Sequence, residues 1–332
     1  MEKNKMAVKE KLKIAICRGC TCSGCDIAIL DIHERLLKVI EKAEIVYAPT
    51  IMDTKTEAVE KMKDREIDVC FYHGAVRDSD NEELAKLLRK KSKIMIAFGA
   101  CACFGGIFGL ANTTDRKGIF EEVYKNTAST VNPEGVMPQT KYTDKKGQTV
   151  TLPEIYDSVY PLQEKVEVDY YIPLCPPIPD QIMACLDAAI SGNLPPKGTI
   201  LASDKTLCSE CDRKRNQMRK IDKIHRPHEI PIDQEKCMLD QGLLCMGPAT
   251  RAGCGTICVK ANVPCRGCNG PTRMEYDQGA NMLGMIATIY GIPEESLTDE
   301  DVKKVMEQIK DPLGTFYRFT LPTSILKRTR TK

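Results

Sequence analysis

The sequence predicts an α/β protein in two parts, a parallel β-sheet covered by helices and then a mostly helical or irregular domain. Short apolar segments alternate with segments of helical periodicity over roughly the first 190 residues, which is typical of a parallel sheet between two helical layers. Beyond about residue 196, strand-like segments are scarce and cysteines are dense. The length of 332 residues also favours about two domains. We therefore predict domains at 1–195 and 196–332.

Five apolar segments are the candidate strands, at residues 11–16, 44–48, 67–72, 93–98 and 167–172. Apolar residues at helical spacing predict helices between and after them, at residues 26–40, 54–63, 82–91 and 179–190. Asp26 is a candidate N-cap for the first of these helices. From 126 to 166 the periodicity fades, and we expect a long excursion on the surface. This order of elements predicts a flavodoxin-like sheet.

The turn-forming segment 192–196 marks the predicted domain boundary. After it, helical periodicity returns only at 277–289 and 298–309. A domain with so little regular structure and so many thiols suggests that metal centres take the place of a conventional core.

Cysteine-containing loops follow the first, fourth and fifth predicted strands. In open α/β sheets, ligands bind beyond the carboxyl ends of the strands, where loops distant in sequence meet. We therefore expect one site with four thiolates, made by Cys22, Cys25, Cys101 and Cys175.

The second half adds eight cysteines: Cys208, Cys211, Cys237, Cys245, Cys254, Cys258, Cys265 and Cys268. Three kinds of site compete for them. The two C-x-x-C pairs are typical of structural zinc, but the spread spacing between 237 and 258 is not. A thiol–disulfide redox site would account for a single pair. Several [4Fe–4S] clusters would account for twelve ligands in all, and the many glycines and prolines predict loops with amides near the sulfurs.

Composition excludes several classes of function. Lys plus Arg number 48 against 46 Asp plus Glu, so the chain lacks the basic excess of a nucleic-acid binder, and the basic tail 327–332 is expected to be solvated. No apolar run approaches the roughly 20 residues that span a bilayer. The polar residues 1–12 lack a secretion core, so we expect a cytoplasmic protein. In that reducing compartment, 17 cysteines favour metal ligation over disulfides.

With these motifs in order, the chain resembles the small, electron-transferring subunit of [NiFe] hydrogenases over about residues 11–325. More narrowly, it is similar to the cytoplasmic methanogen type that reduces methyl viologen and not deazaflavin. That family holds its proximal cluster with C-x-x-C, G-x-C-x-x-x-G-G and C-P-P, which match Cys22 and Cys25, Cys101, and Cys175. Leu174 stands where the family often has glycine.

The resemblance implies two further [4Fe–4S] clusters and therefore three in total. The distal ligands would be Cys208, Cys211, Cys237 and Cys245, and the medial ligands Cys254, Cys258, Cys265 and Cys268. Many relatives have proline at the position of Cys258 and hold a three-iron cluster, so four thiols here imply a four-iron medial cluster.

Five cysteines and all four histidines are left over. Cys17 and Cys20 form a second C-x-G-C that overlaps the first, but the pair at 22 and 25 fits better because it adjoins the helix start. We expect the remaining residues to be buried free thiols or structural and surface histidines: Cys70, Cys103, Cys185, His33, His73, His225 and His228.

The resemblance also implies partners. The nickel–iron centre would lie in a separate large subunit, so no catalytic residue is expected on this chain. Loops 73–77 and 104–110 are candidates for contact with that subunit, although the apolar residues of the second loop would equally suit a core. Electrons would leave to a small iron–sulfur subunit docked on heterodisulfide reductase. The alternatives are the small subunit of a deazaflavin-reducing hydrogenase, an electron-transfer subunit of a respiratory complex, and a zinc-binding scaffold.

Overall fold

A computed structural model of the chain describes residues 11–216, 221, 223–290 and 298–327, so the first ten residues and the last five of the basic tail lie outside the described residues. Nine strands are present in this part of the chain: β1 (Leu12–Arg18), β2 (Ala43–Tyr47), β3 (Ile67–His73), β4 (Val76–Asp78), β5 (Ser92–Phe98), β6 (Lys141–Thr143), β7 (Thr149–Thr151), β8 (Ile155–Tyr160) and β9 (Tyr170–Ile172).

Five of these strands form one parallel sheet in the order β2–β1–β3–β5–β9. Counted along the chain within the sheet this is 2-1-3-4-5, the flavodoxin-like order, which confirms the predicted fold class. The predicted fifth strand is shorter than expected, because only Tyr170–Ile172 pairs with β5.

Helices cover both faces of the sheet and dominate the regular structure of the second half. They are α1 (Gly24–Leu30), α2 (Arg35–Lys42), α3 (Thr56–Glu60), α4 (Ser79–Lys91), α5 (Gly99–Phe104), α6 (Arg116–Glu121), α7 (Pro179–Ser191), α8 (Ile257–Lys260), α9 (Gln278–Ile289), α10 (Asp299–Glu307) and α11 (Pro312–Phe316).

The single helix predicted at 26–40 is wrong in one respect, because the structure divides it into α1 and α2. His33 lies at the break with φ of 54°, a left-handed conformation that an α-helix does not contain. The N-cap of α1 is Ser23, not Asp26. Asp26 lies in the first turn, where its buried carboxylate contacts His73.

The excursion predicted at 126–166 is on the surface only in part. Its exposed section forms the hairpin of β6 and β7, whose side chains face solvent on both sides. Its later section forms β8, which pairs antiparallel with β4 beside the main sheet. The loss of periodicity therefore marks irregular pairing and not an absence of strands.

Three large apolar cores and one small cluster, around Ala75, Cys101 and Val159, hold the described residues together. Of the three large cores, one lies on each face of the main sheet, and the third lies within the second half, between α9, α11 and the cysteine loops. The second half also inserts Phe319 into the core on one face of the sheet. This contact fixes the cysteine-rich region against the sheet edge where the first four predicted ligands lie. Within the described residues, no helix combines the length and apolar character needed to cross a bilayer.

Candidate metal centres

The structure brings together the four cysteines predicted from the sheet topology. They follow the carboxyl ends of β1, β5 and β9: Cys22 and Cys25 in the first loop and helix, Cys101 in α5, and Cys175 after β9. Burial raises the pKa of the Cys101 thiol to about 12, with the neighbouring Cys175 and Cys22 sulfurs adding to the effect. Burial likewise raises the pKa of the Cys25 thiol, and the nearby sulfurs of Cys101, Cys175 and Cys22 raise it further.

Glycines make room for these sulfurs. A Cβ at Gly99 would lie 2.6 Å from the Cys25 sulfur, and one at Gly106 would lie 2.4 Å from the Cys101 sulfur. Both glycines have positive φ, of 84° and 62°. The backbone thus approaches the sulfurs more closely than any other residue type would permit.

The loop that carries Cys175 is strained at the residue before it. Leu174 has φ of 87°, in the left-handed region that favours glycine. Its carbonyl oxygen accepts a hydrogen bond of 2.7 Å from the Ala100 amide, which joins this loop to the start of α5. Leucine therefore occupies a position where the resemblance predicts glycine, and this hydrogen bond connects the segments that carry Cys175 and Cys101.

The overlapping cysteine pair lies differently. Cys17 is inside β1 and its side chain is buried in the sheet core. Cys20 exchanges backbone hydrogen bonds with Ala75 and packs near Cys101, but it contributes less to the electrostatics of that thiol than Cys22 does. Both Cys20 and Cys22 therefore lie near Cys101, and the choice of Cys22 as the ligand stays a prediction.

A second group contains Cys208, Cys211, Cys237 and Cys245. Burial raises the pKa of the Cys208 thiol to about 11. The positive charge of Arg215 opposes this increase, and the sulfurs of Cys245, Cys237 and Cys211 add to it. The Cys245 sulfur accepts hydrogen bonds from the amides of Gly247 and Cys265. A Cβ at Gly247 would lie 3.3 Å from the Cys208 sulfur and 3.6 Å from the Cys245 sulfur, so the two sulfurs face the same short backbone segment.

The third group contains Cys254, Cys258, Cys265 and Cys268. Burial raises the pKa of Cys268 to about 12, and Cys254 and Cys258 are among its electrostatic neighbours. Cys265 also lies near Cys268 and accepts a hydrogen bond from the Gly267 amide. The other two sulfurs are more accessible, with Cys254 half-buried and Cys258 exposed.

Loop contacts join these groups to one another. Cys268 of the third group packs against the core that contains Phe104, which lies in α5 with Cys101 of the first group. The Met246 amide, next to Cys245 of the second group, donates a hydrogen bond of 3.0 Å to the carbonyl oxygen of Cys265 in the third. The three groups are therefore in contact in the order first, third, second.

The donor set fits iron–sulfur clusters. Each group offers four thiols on loops that contain glycine or proline near the cysteines, and backbone amides near sulfur are part of the environment that tunes such clusters. Among the described residues, no three His, Cys, Asp or Glu side chains converge closely enough to hold a single metal ion.

The other cysteines are core residues. Cys70, Cys103 and Cys185 are buried in β3, α5 and α7, and the Cys103 thiol donates to the Ala97 carbonyl oxygen. They pack against apolar side chains of the two sheet cores, as expected of free thiols.

Two buried polar contacts support the sites and were not predicted. His73 at the end of β3 lies 2.8 Å from the Asp26 carboxylate, and both side chains are buried, which ties the start of α1 to the sheet. The buried Arg213 guanidinium donates to the carbonyl oxygens of Asp233, Lys236 and Val259. The roles of His73 and Arg213 could not be predicted from the sequence, because each residue contacts loops that are distant in the chain.

The two loops suggested for subunit contact differ in exposure. Residues 73–76 are buried within this chain and Arg77 is half-buried, so the loop 73–77 offers little surface and its contact with another subunit stays a prediction. In the other loop, Ile107 is half exposed, whereas Phe108 and Leu110 pack partly into the chain's own cores. Exposed apolar side chains also flank the first cysteine group, at Ile27 and Leu30 on α1.

Several known proteins are similar in sequence to this chain. The family model described as NADH ubiquinone oxidoreductase, 20 Kd subunit, matches residues 22–189. The iron–sulfur subunit of the F420-non-reducing hydrogenase of Archaeoglobus profundus is 39% identical over 96% of this chain and 98% of that protein. The corresponding F420-non-reducing hydrogenase subunit of Methanothermobacter thermautotrophicus is 37% identical over 96% of each.

A solved [NiFeSe]-hydrogenase structure from Dm. baculatum matches 79% of this chain and 95% of its own, with a TM-score of 0.50 and 19% identity. At that identity the likeness concerns the fold alone. It agrees with the parallel sheet followed by a second region that the structure shows.

Proposed function

The chain belongs to the family of the F420-non-reducing hydrogenase iron–sulfur subunits, which are small subunits of [NiFe] hydrogenases, and from that membership we propose that it relays electrons through three [4Fe–4S] clusters. The resemblance stated from the motifs is thus confirmed at the level of the family. The chain is one subunit of an oxidoreductase that acts on dihydrogen. The number and type of its clusters and its route of electron transfer are our proposal.

We assign the first cysteine group to the proximal cluster, the third to the medial cluster and the second to the distal cluster. The proximal ligands lie in the proposed domain 1–195, and the other eight lie in the proposed domain 196–332. When bound, such clusters supply one-electron transfer. The cysteines hold the iron, and the amides directed at their sulfurs favour the reduced state by stabilising negative charge.

The observation that carries this proposal is the pair of contacts between ligand loops. The segment of Cys268 packs against Phe104, near Cys101, and the Met246 amide beside Cys245 donates a hydrogen bond to the Cys265 carbonyl oxygen. Ligand loops in direct contact keep neighbouring centres close, which a relay requires and which isolated structural sites do not. The order of contact also matches the order proximal, medial, distal.

We further propose the partners that the family implies. The large subunit with the nickel–iron centre would cover the proximal site, where Cys22, Cys175 and the apolar Ile27 are exposed. A small iron–sulfur subunit, itself bound to heterodisulfide reductase, would take electrons from the distal site. The names of the relatives favour this type over a deazaflavin-reducing hydrogenase. A cytoplasmic location stays a prediction of the sequence.

The order of the relay is tested by removing one ligand at a time in the complex with the large subunit. In Cys25→Ala, the medial and distal clusters should remain, be reduced by dithionite and fail to be reduced by dihydrogen, as followed by electron paramagnetic resonance. In Cys245→Ala, dihydrogen should still reduce the proximal and medial clusters. Cys185→Ala, a buried thiol in α7, is the matched control. Normal reduction of the remaining clusters by dihydrogen in Cys25→Ala would contradict the proposed order.

A further inference from the structure

A cationic cavity lies beside the medial and distal cysteine groups. Its volume is about 380 Å³, and its floor includes Leu244 and Pro264, the residues that precede Cys245 and Cys265. Its walls come from four separate segments and carry the basic or imidazole side chains of His225, Arg226, His228, Arg266, Lys310 and Arg318. The chain as a whole has nearly balanced charge, so this concentration of basic groups is local.

The guanidinium groups of the cavity repel one another. Arg226, Arg266 and Arg318 all line this one space. Three like charges held together in a partly desolvated space cost free energy unless an anion lies among them.

Acidic groups of the chain do little to neutralise this cavity. Asp311 is the one carboxylate in its described lining, and its oxygen already accepts a hydrogen bond of 2.8 Å from the Gly314 amide. Glu229 lies nearby, 3.8 Å from the His225 ring, and accepts a hydrogen bond from the Arg226 backbone amide. The Arg318 Nε donates to the Gly314 carbonyl oxygen, which fixes the direction of that side chain.

We propose that this cavity binds carboxylate side chains of an acidic segment on the protein that accepts electrons from the distal centre. This inference rests on the proposed relay. Guanidinium groups pair with carboxylates through two parallel hydrogen bonds, which fixes orientation as well as charge. A carboxylate seated here would bring the acceptor's surface to within one residue of a distal ligand, Cys245. Complementary charge would also speed the encounter of the two proteins at low salt.

The test uses the complex with the large subunit and two electron acceptors, the small iron–sulfur acceptor protein and the dication methyl viologen. Arg226→Glu, Arg318→Glu and the double variant reverse charges at the cavity. The readout is kcat/KM for the acceptor protein divided by that for viologen. We expect a fall of about tenfold in this ratio for the double variant at low ionic strength, because long-range attraction becomes repulsion. The dependence of acceptor reduction on salt should also flatten.

Lys61→Glu is the matched control, since Lys61 is exposed after α3 at the opposite edge of the sheet from the cysteine loops. It makes the same change in net charge as either single variant and should leave the ratio as it is. Reduction of both acceptors at the native rates by a complex whose small subunit has lost its iron would overturn the relay and docking proposals together.

A ratio and a salt dependence that stay as in the native complex in the double variant would overturn the docking proposal alone. A second result would also overturn the docking proposal: inorganic phosphate inhibits acceptor reduction much more strongly than chloride at equal ionic strength, and the kcat/KM ratio of the double variant is unchanged. That result would assign the cavity to a small phosphate ligand.

Discussion

Gly106 offers the sharpest test of the proposed proximal site. Replacing it with alanine adds one methyl group whose carbon would lie 2.4 Å from the Cys101 sulfur and 2.8 Å from the Cys101 Cα. The backbone at Gly106 has φ of 62° and ψ of −159°, a region open almost exclusively to glycine. The substitution therefore places alanine in an unfavourable backbone conformation and brings its Cβ into overlap with the ligand residue Cys101.

The two costs are of similar size. Holding a non-glycine residue in this backbone region costs about 1–3 kcal/mol. Relieving the overlap with Cys101 costs about another 1–3 kcal/mol, as in other overpacked interiors. The total of roughly 2–6 kcal/mol is a large fraction of the 5–15 kcal/mol that stabilises a typical domain. The cheapest relief is displacement of Cys101, which removes a proximal ligand.

Gly147→Ala separates the two costs. Gly147 has φ of 82°, but a Cβ there would meet no atom within 4 Å. This control should lose only about 1–2 kcal/mol and keep all its iron. Gly106→Ala should lose about four irons per chain and the proximal resonance signal, measured after anaerobic purification. Full iron content in Gly106→Ala, with denaturant stability equal to that of the control, would refute the reasoning.

Three further predictions concern other parts of the chain. Cys22→Ala should lose the proximal signal whereas Cys20→Ala keeps it; the reverse result would reassign the ligand. Arg213→Met leaves buried carbonyl oxygens without donors and should lower the free energy of unfolding by about 2–4 kcal/mol, measured by denaturant titration; a change below about 0.5 kcal/mol would show that water replaces the guanidinium. Hydrogen bonds from Lys165 and then Lys86 lower the pKa of Glu82 to about 2 from its ordinary 4.5. The interaction of Glu82 with these lysines therefore stabilises the fold fully above about pH 4.5, and this stabilisation is lost as the pH falls toward 2. Glu82→Gln should therefore destabilise the protein at neutral pH and approach the native stability in acid, and a destabilisation that does not vary with pH would contradict this assignment.

Much of the fold could be predicted because it depends on local patterns. The five strands of the main sheet came from short apolar segments, and the parallel arrangement followed from their alternation with helices. The break between α1 and α2 escaped prediction because the apolar spacing runs on across His33, whose left-handed conformation leaves no trace in that spacing.

The grouping of the first four cysteines could be predicted from topology, since parallel strands bring their carboxyl ends to one edge. The division of the other eight into two groups came only from family motifs, because no sheet orders their loops. The packing of the Cys268 segment against Phe104 is not readable from sequence, since it joins two segments that are distant in the chain. The cationic cavity is hidden for the same reason: Arg226, Arg266 and Arg318 stand in separate segments that meet only in the fold.

A count of iron and acid-labile sulfide in the anaerobically purified subunit, with Mössbauer spectra to identify the cluster type, tests the central claim most directly. Twelve cysteine ligands in three groups predict about twelve irons and twelve sulfides per chain, all as [4Fe–4S] clusters. Iron for a single cluster, or zinc at about two to four per chain in place of iron, would contradict the relay.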